Sequence, residues 1–222
     1  MQPKLAPEWI RLESALGERP KLSGITVQQI RKSLADPALE AAARNRRHDP
    51  ALHIVSVREH RIPLETKPRA EPDGCLTSDG GGFCVGDLNT EDVTAAFLCK
   101  NLSLTVVSVR YRLAPEAPWP AALEDCCKAS HWATQHFQND SSVDTSKLIM
   151  CGSSAGGTLA LSTAIKLAQD GIHAHGVAAL APLTIDTRAI KDDGHKSRVE
   201  NAEAPILSPE TLDIFLGKYR AA

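Results

Sequence analysis

Apolar positions along the chain change their period several times, and each change marks an expected element. Trp9, Ile10, Leu12 and Leu16 recur at helical spacing. Pro20 and Gly24 interrupt them, and Val27, Ile30, Leu34 and Leu39 resume the pattern in a second segment. Residues 52–57 alternate apolar and polar as a half-buried strand does. Residues 63–79 are poor in apolar side chains and rich in Pro, Glu, Lys and Arg, which predicts a loop or a degraded strand. Order resumes after Phe83, with a helix over 93–102 and a buried strand over 104–109. Pro120 opens a further helix that carries Ala121, Leu123, Cys127 and Trp132. A strand is predicted over 147–151, then a helix over 155–169 closed by Gly171, then one more short buried strand over 177–181. Residues 186–204 are polar and charged, and 211–219 fit a last amphipathic helix. Strands alternating with helices predict an α/β architecture with a mostly parallel sheet.

Composition narrows the function classes. A chain of 222 residues can bury one sizeable core and does not require a second. The formal net charge of −2 gives no electrostatic reason to expect nucleic acid as a partner. Arg44, Arg46, Arg47 and His48 form one basic cluster, best explained as the solvated end of a helix. No apolar run approaches the length of a membrane span, and residues 1–13 lack the apolar region of a signal peptide. The expectation is an intracellular protein, cytoplasmic by default, with organelle targeting left open. The six cysteines, Cys75, Cys84, Cys99, Cys126, Cys127 and Cys151, show no metal-ligand spacing and read as small buried or half-buried side chains.

The chemistry concentrates at Gly152-Ser153-Ser154-Ala155-Gly156, between an apolar run and a helix of small residues. Strand, sharp turn and helix in that order put Ser154 at the apex of a strained turn with its hydroxyl exposed, as α/β-hydrolases present a nucleophile. The plain alternative is a glycine-rich turn with an unreactive serine. Acyl transfer also needs donors for the developing oxyanion. Ala155 offers a backbone N–H at a helix N-terminus, and Gly80-Gly81-Gly82 offers a run of unshielded amides. A glycine triplet alone is more often a flexible loop. Paired with the serine motif at this separation, it gains weight.

With these motifs the sequence resembles the hormone-sensitive-lipase family of carboxylesterases. Asp79-Gly80-Gly81-Gly82-Phe83 is similar to the family's His-Gly-Gly-Gly-Phe motif, and Val85-Gly86-Asp87 follows in the family manner. Tyr111-Arg112-Leu113-Ala114-Pro115-Glu116, Pro120-Ala121-Ala122-Leu123-Glu124-Asp125 and Gly152-Ser153-Ser154-Ala155-Gly156-Gly157 match further family signatures. The resemblance implies an α/β-hydrolase fold with a helical N-terminal cap over 1–50 and a core over 51–222. Part of a second cap segment would lie near 186–219. It implies Ser154 as the nucleophile and Gly81, Gly82 and Ala155 as oxyanion donors. The implied reaction is hydrolysis of a small or medium ester through an acyl-enzyme, without cofactor or metal. Secondary-metabolite or toxin biosynthesis is a setting in which similar proteins occur.

Three departures accompany the resemblance. Asp79 stands where the family has histidine, residues 63–78 lack the expected apolar strand, and the chain ends 68 residues after Ser154. In this fold the acid and the histidine follow the serine, so the chain is expected to be incomplete at its C-terminus. His173 and His175 precede a strand and so fall at the wrong end of the sheet for catalysis, with a metal site as the weaker alternative. His195 sits in a charged loop, His131 and His136 on an outer helix, and Asp186 after a strand end. None of them is assigned as base or acid. The alternatives to an esterase are a non-catalytic binding protein, as in plant gibberellin receptors, which look like this family and have lost the histidine, and a decayed duplicate.

Overall fold

The computed structural model describes residues 6–17, 26–34, 58, 75–78, 81–88, 90–186 and 196–220. Two helices come first, α1 (Pro7–Leu16) and α2 (Val27–Leu34). Gly17 ends α1 in the left-handed region, φ 76°, and donates to Glu13 O. A reciprocal cap opens α2: the Gln29 amide donates to Thr26 Oγ1 at 3.2 Å, and the Thr26 amide donates to Gln29 Oε1 at 3.1 Å. Then follow β1 (Cys75–Ser78), α3 (Asp92–Leu102), β2 (Ser108–Val109), α4 (Ala121–His136), β3 (Ile149–Ser153), α5 (Ala155–Gln169), β4 (Gly176–Leu180), α6 (Lys196–Glu200) and α7 (Pro209–Tyr219).

The four strands form one parallel sheet in the order β2-β1-β3-β4. Parallel neighbours need crossover connections, and α3, α4 and α5 provide them. The inward face of α4 is built of small residues, Ala122, Cys126, Ala129 and Ala133, so the helix packs closely on the sheet and on α5. Met150, Leu159 and Leu167 are fully buried at the centre. The same core takes in Val27 and Ile30 of α2, the turn at Phe83–Val85, and Phe215 and Tyr219 of α7. One ion pair is let into it: Arg112 donates to both carboxylate oxygens of the buried Asp125, from Nε and Nη2 and from its own backbone amide. Both Asp125 oxygens are therefore satisfied, which a buried carboxylate requires.

Within the segment 63–79, residues 75–78 form a strand, β1, in keeping with the degraded-strand alternative. Three expectations need correction. The strand predicted over 104–109 shrinks to Ser108–Val109, because among the described residues β2 pairs with β1 alone and its register slips, Cys75, Leu76 and Thr77 all facing Ser108. The strand predicted over 147–151 begins two residues later. Asp144 caps a 3-10 turn over Thr145–Lys147, accepting from the Ser146 amide at 3.1 Å, and delays entry into the sheet. The strand expected buried over 177–181 is β4, and Val177, Ala178 and Leu180 are exposed, because among the described residues β3 is its only strand neighbour. The expected strand over 52–57, the basic cluster at 44–48, Asp79, Gly80 and His195 lie outside the described residues.

Candidate active site

Two turns leave the carboxyl ends of adjacent strands. The register Ser78↔Gly152 aligns the ends of β1 and β3, which neighbouring strands hold about 4.8 Å apart. Gly81 and Gly82 follow β1 by three and four residues, and Ser154 follows β3 directly. The sheet thus brings Ser154, Ala155, Gly81 and Gly82 to one end.

Ser154 has φ 51° and ψ −117°, a region costly for any residue with a side chain. What enforces it is close packing of backbone on backbone. A Cβ at Gly152 would run into the carbonyl group of Gly156, and one at Gly157 would come within 3.1 Å of Gly152 O. The chain can therefore leave the strand and start the helix almost on top of itself. The Ser154 amide donates to Leu180 O at 2.8 Å, tying the apex to β4. Thr158 Oγ1 makes 2.9 Å bonds with both the carbonyl and the amide of Leu183, which fixes the chain after β4 against the same helix start. The first amide of α5 to reach a carbonyl within the turn is that of Thr158, which donates to Ser154 O at 3.1 Å. The Ala155 amide precedes it, at the end where helix N–H groups lack helical partners and the dipole favours negative charge.

The second turn is equally constrained. The amides of Cys84 and Val85 both donate to Gly81 O at 3.0 Å. A Cβ on Gly81 would collide with the Val85 carbonyl. Gly82 has φ 58°, and a Cβ there would enter the Phe215 ring. Phe83, at φ 64°, stacks on Tyr219 with ring centroids 3.8 Å apart. Phe83 O accepts from the Ala114 amide at 2.9 Å, so the 111–116 segment backs the turn. Burial pushes the Cys84 thiol up to about 12 and raises the thiols of Cys127 and Cys151, which leaves none of the three suited to nucleophilic work.

The remaining candidates lie elsewhere. His173 and His175 are exposed before β4, and the His175 amide donates to Leu148 O at 2.7 Å. They stand at the amino end of the sheet, about 17 Å of strand from Leu180. His131 Nε2 is 3.7 Å from Asp170, which follows α5, about 22 Å along that helix from Ser154. His136 stacks on Trp132. Asp186 does follow the carboxyl end of β4, and it accepts from Arg220 Nη1 at 2.7 Å. Among the described residues no group of three His, Cys, Asp or Glu is placed to hold a metal ion, and no helix is long and apolar enough to cross a membrane. Arg31, Phe215 and Tyr219 grip the glycine turn and escaped sequence reasoning, since each reaches it across a long stretch of chain.

Residues 76–222 match a family described by the α/β hydrolase fold. Versiconal hemiacetal acetate esterase of Aspergillus parasiticus is 34% identical over 156 residues, covering 68% of this chain and 48% of that protein. The FAD-linked oxidoreductase pytB of Aspergillus terreus is 34% identical over 174 residues, 75% of this chain but only 21% of that protein. A hyperthermophilic esterase from Pyrobaculum calidifontis superposes with a TM-score of 0.75 at 26% identity, over all of this chain and 72% of its own. The chain spans about half the length, or less, of these two curated relatives.

Proposed function

The chain belongs to the α/β-hydrolase fold family, and from that premise we propose that it is a serine hydrolase of carboxylic esters. The observation that carries this reading is the Ser154 apex, φ 51° and ψ −117°, beside the glycine turn on the next strand end. Ser154 Oγ would attack the ester carbonyl, and its proton would pass to a base. The oxygen of the tetrahedral intermediate would lie among the amides of Gly81, Gly82 and Ala155. Collapse would release the alcohol and leave an acyl-Ser154, which water then cleaves to acid and free serine. No base or orienting acid is assigned among the described residues.

The substrate class we favour is a small ester with a short acyl group, of the kind named by versiconal hemiacetal acetate esterase, in secondary-metabolite or toxin biosynthesis. Helices within residues 1–50, with α6 and α7 within 186–219, would cap the site over a core of 51–222.

The test is hydrolysis of p-nitrophenyl acetate and butyrate by the full chain. Ser154→Ala should lower turnover at least about a thousandfold, because what survives loss of a nucleophile comes from the oxyanion donors and binding alone. Turnover unchanged by Ser154→Ala would overturn the proposal. Saturable ester binding with no turnover in the unaltered chain would favour a binding protein on the same fold.

A further inference from the structure

Granting that Gly81 and Gly82 face the oxyanion, we propose that Arg31 of α2 is the positioning residue of the glycine turn. Phe83 holds a positive φ of 64°, costly for a residue with a side chain, so the turn does not keep its shape by local preference. It has to be held from outside. On one side stand the rings of Phe215 and Tyr219. On the other, Arg31 Nε donates to Cys84 O at 2.7 Å and Nη2 donates to Ala114 O at 2.8 Å. Ala114 in turn donates its amide to Phe83 O at 2.9 Å. One guanidinium therefore fixes the carbonyl of Cys84 directly and that of Phe83 through Ala114.

The fork is itself aimed. Glu116 takes Nη1 at 2.7 Å and Nη2 at 2.9 Å, a bidentate pair that sets the plane of the guanidinium. Val27 and Ile30, both fully buried, anchor the helix that carries it. The ion pair is partly exposed and contributes little by charge alone. Its effect is orientation: two carbonyls and both oxygens of a carboxylate are served at once by a rigid planar group. A lysine, with one nitrogen on a flexible stem, cannot do the same. A donor displaced by about 1 Å costs an active site roughly a hundredfold, so a slack turn would show in turnover before it showed in binding.

Hydrogen exchange of the Cys84 and Val85 amides, both bonded to Gly81 O, reads the turn without reference to activity. In the full chain, Arg31→Gln should speed their exchange at least tenfold while leaving the amides of α5 unchanged. It should lower kcat for p-nitrophenyl acetate by about ten- to a hundredfold with KM within twofold. Arg31→Lys should recover only a minor part. Glu116→Gln keeps Arg31 but loosens the pair that sets its plane, so it should move each quantity in the same direction by less than Arg31→Gln does. Arg31→Lys serves as the folded variant if Arg31→Gln does not accumulate. Unchanged exchange at Cys84 and Val85 would overturn the proposal, as would acceleration shared equally by α5, or a rise in KM with kcat held. If the unaltered protein shows no Ser154-dependent turnover, the hydrolase reading fails, while the exchange pattern still decides what Arg31 does.

Discussion

The glycine turn at residues 81–85 and the strand β4 are both made of apolar and small residues, and they end in opposite surroundings. Phe83, Cys84 and Val85 are buried, whereas Leu180 is 61% exposed and Val177 39%. The turn is covered because α2 and α7 return to it from distant parts of the chain. Over β4 the described residues supply only β3 at one edge and α5 packed against it. Yet β4 is bound to the site as firmly as the turn is, through its main chain: Leu180 O holds the Ser154 amide. Side-chain burial and service to the site are therefore separate properties. The turn depends on side chains that grip it, and the strand contributes through its backbone.

The largest contrast should come from two glycines. Gly152→Ala places a methyl group against the Gly156 carbonyl group and should cost about 3 kcal/mol with loss of activity. Gly176→Ala, at the start of β4, meets nothing within 4 Å and should stabilise by about 0.5 kcal/mol. Urea titration of the pair checks both signs, and equal costs would erase the distinction between packed apex and open flank. Next come two leucines. Leu159→Ala, in the core, should cost about 3 kcal/mol, and Leu180→Ala less than about 1 kcal/mol, since it removes an exposed side chain and keeps the carbonyl. A comparable loss at Leu180 would mean that something covers β4.

The smallest effect concerns pH. Burial raises the Cys84 thiol from its ordinary 9.0 to about 12, so the folded chain keeps it neutral while the unfolded chain ionises near 9. Its contribution to stability is intact below pH 9 and lost as pH rises from 9 towards 12. The urea midpoint should fall over that interval, and Cys84→Ala should flatten part of the fall. Alkylation by iodoacetamide at pH 8.5 should be at least about tenfold slower in the folded protein than in urea. Equal rates would show the turn to be open.

What could be read from the sequence follows the range of the forces involved. The serine apex was legible because its causes are local: the glycine spacing permits the close approach, and α5 runs over the residues its pattern predicts, 155–169. The opening of α4 was legible for the same reason, since it starts beside a proline, and the last helix was legible from its amphipathic pattern over 211–219, though α7 begins two residues earlier at Pro209. Strand β1 was obscured because Cys75-Leu76-Thr77-Ser78 has no apolar alternation, and neighbours on both sides, not propensity, hold it in the sheet. The exposure of β4 was illegible for the converse reason, since an apolar run states what a strand would bury and leaves open whether anything arrives to bury it. Arg31 was invisible among the surface-type residues of an amphipathic helix, its acceptors lying 53 and 83 residues away.

The grip of α7 on the glycine turn has a consequence for synthesis. The Tyr219 carbonyl accepts from the Trp119 amide at 2.6 Å, and the Cys84 thiol reaches Phe215 O across 131 residues. By contrast, the apex at Ser154 is completed by Leu180 and Leu183, within thirty residues of chain. On a ribosome, which releases the chain N-terminus first, the serine elbow can close as soon as its own neighbourhood has emerged. The turn opposite it must wait exposed until residue 219 has cleared the exit tunnel, so a nascent chain completes the serine elbow well before the glycine turn beside it.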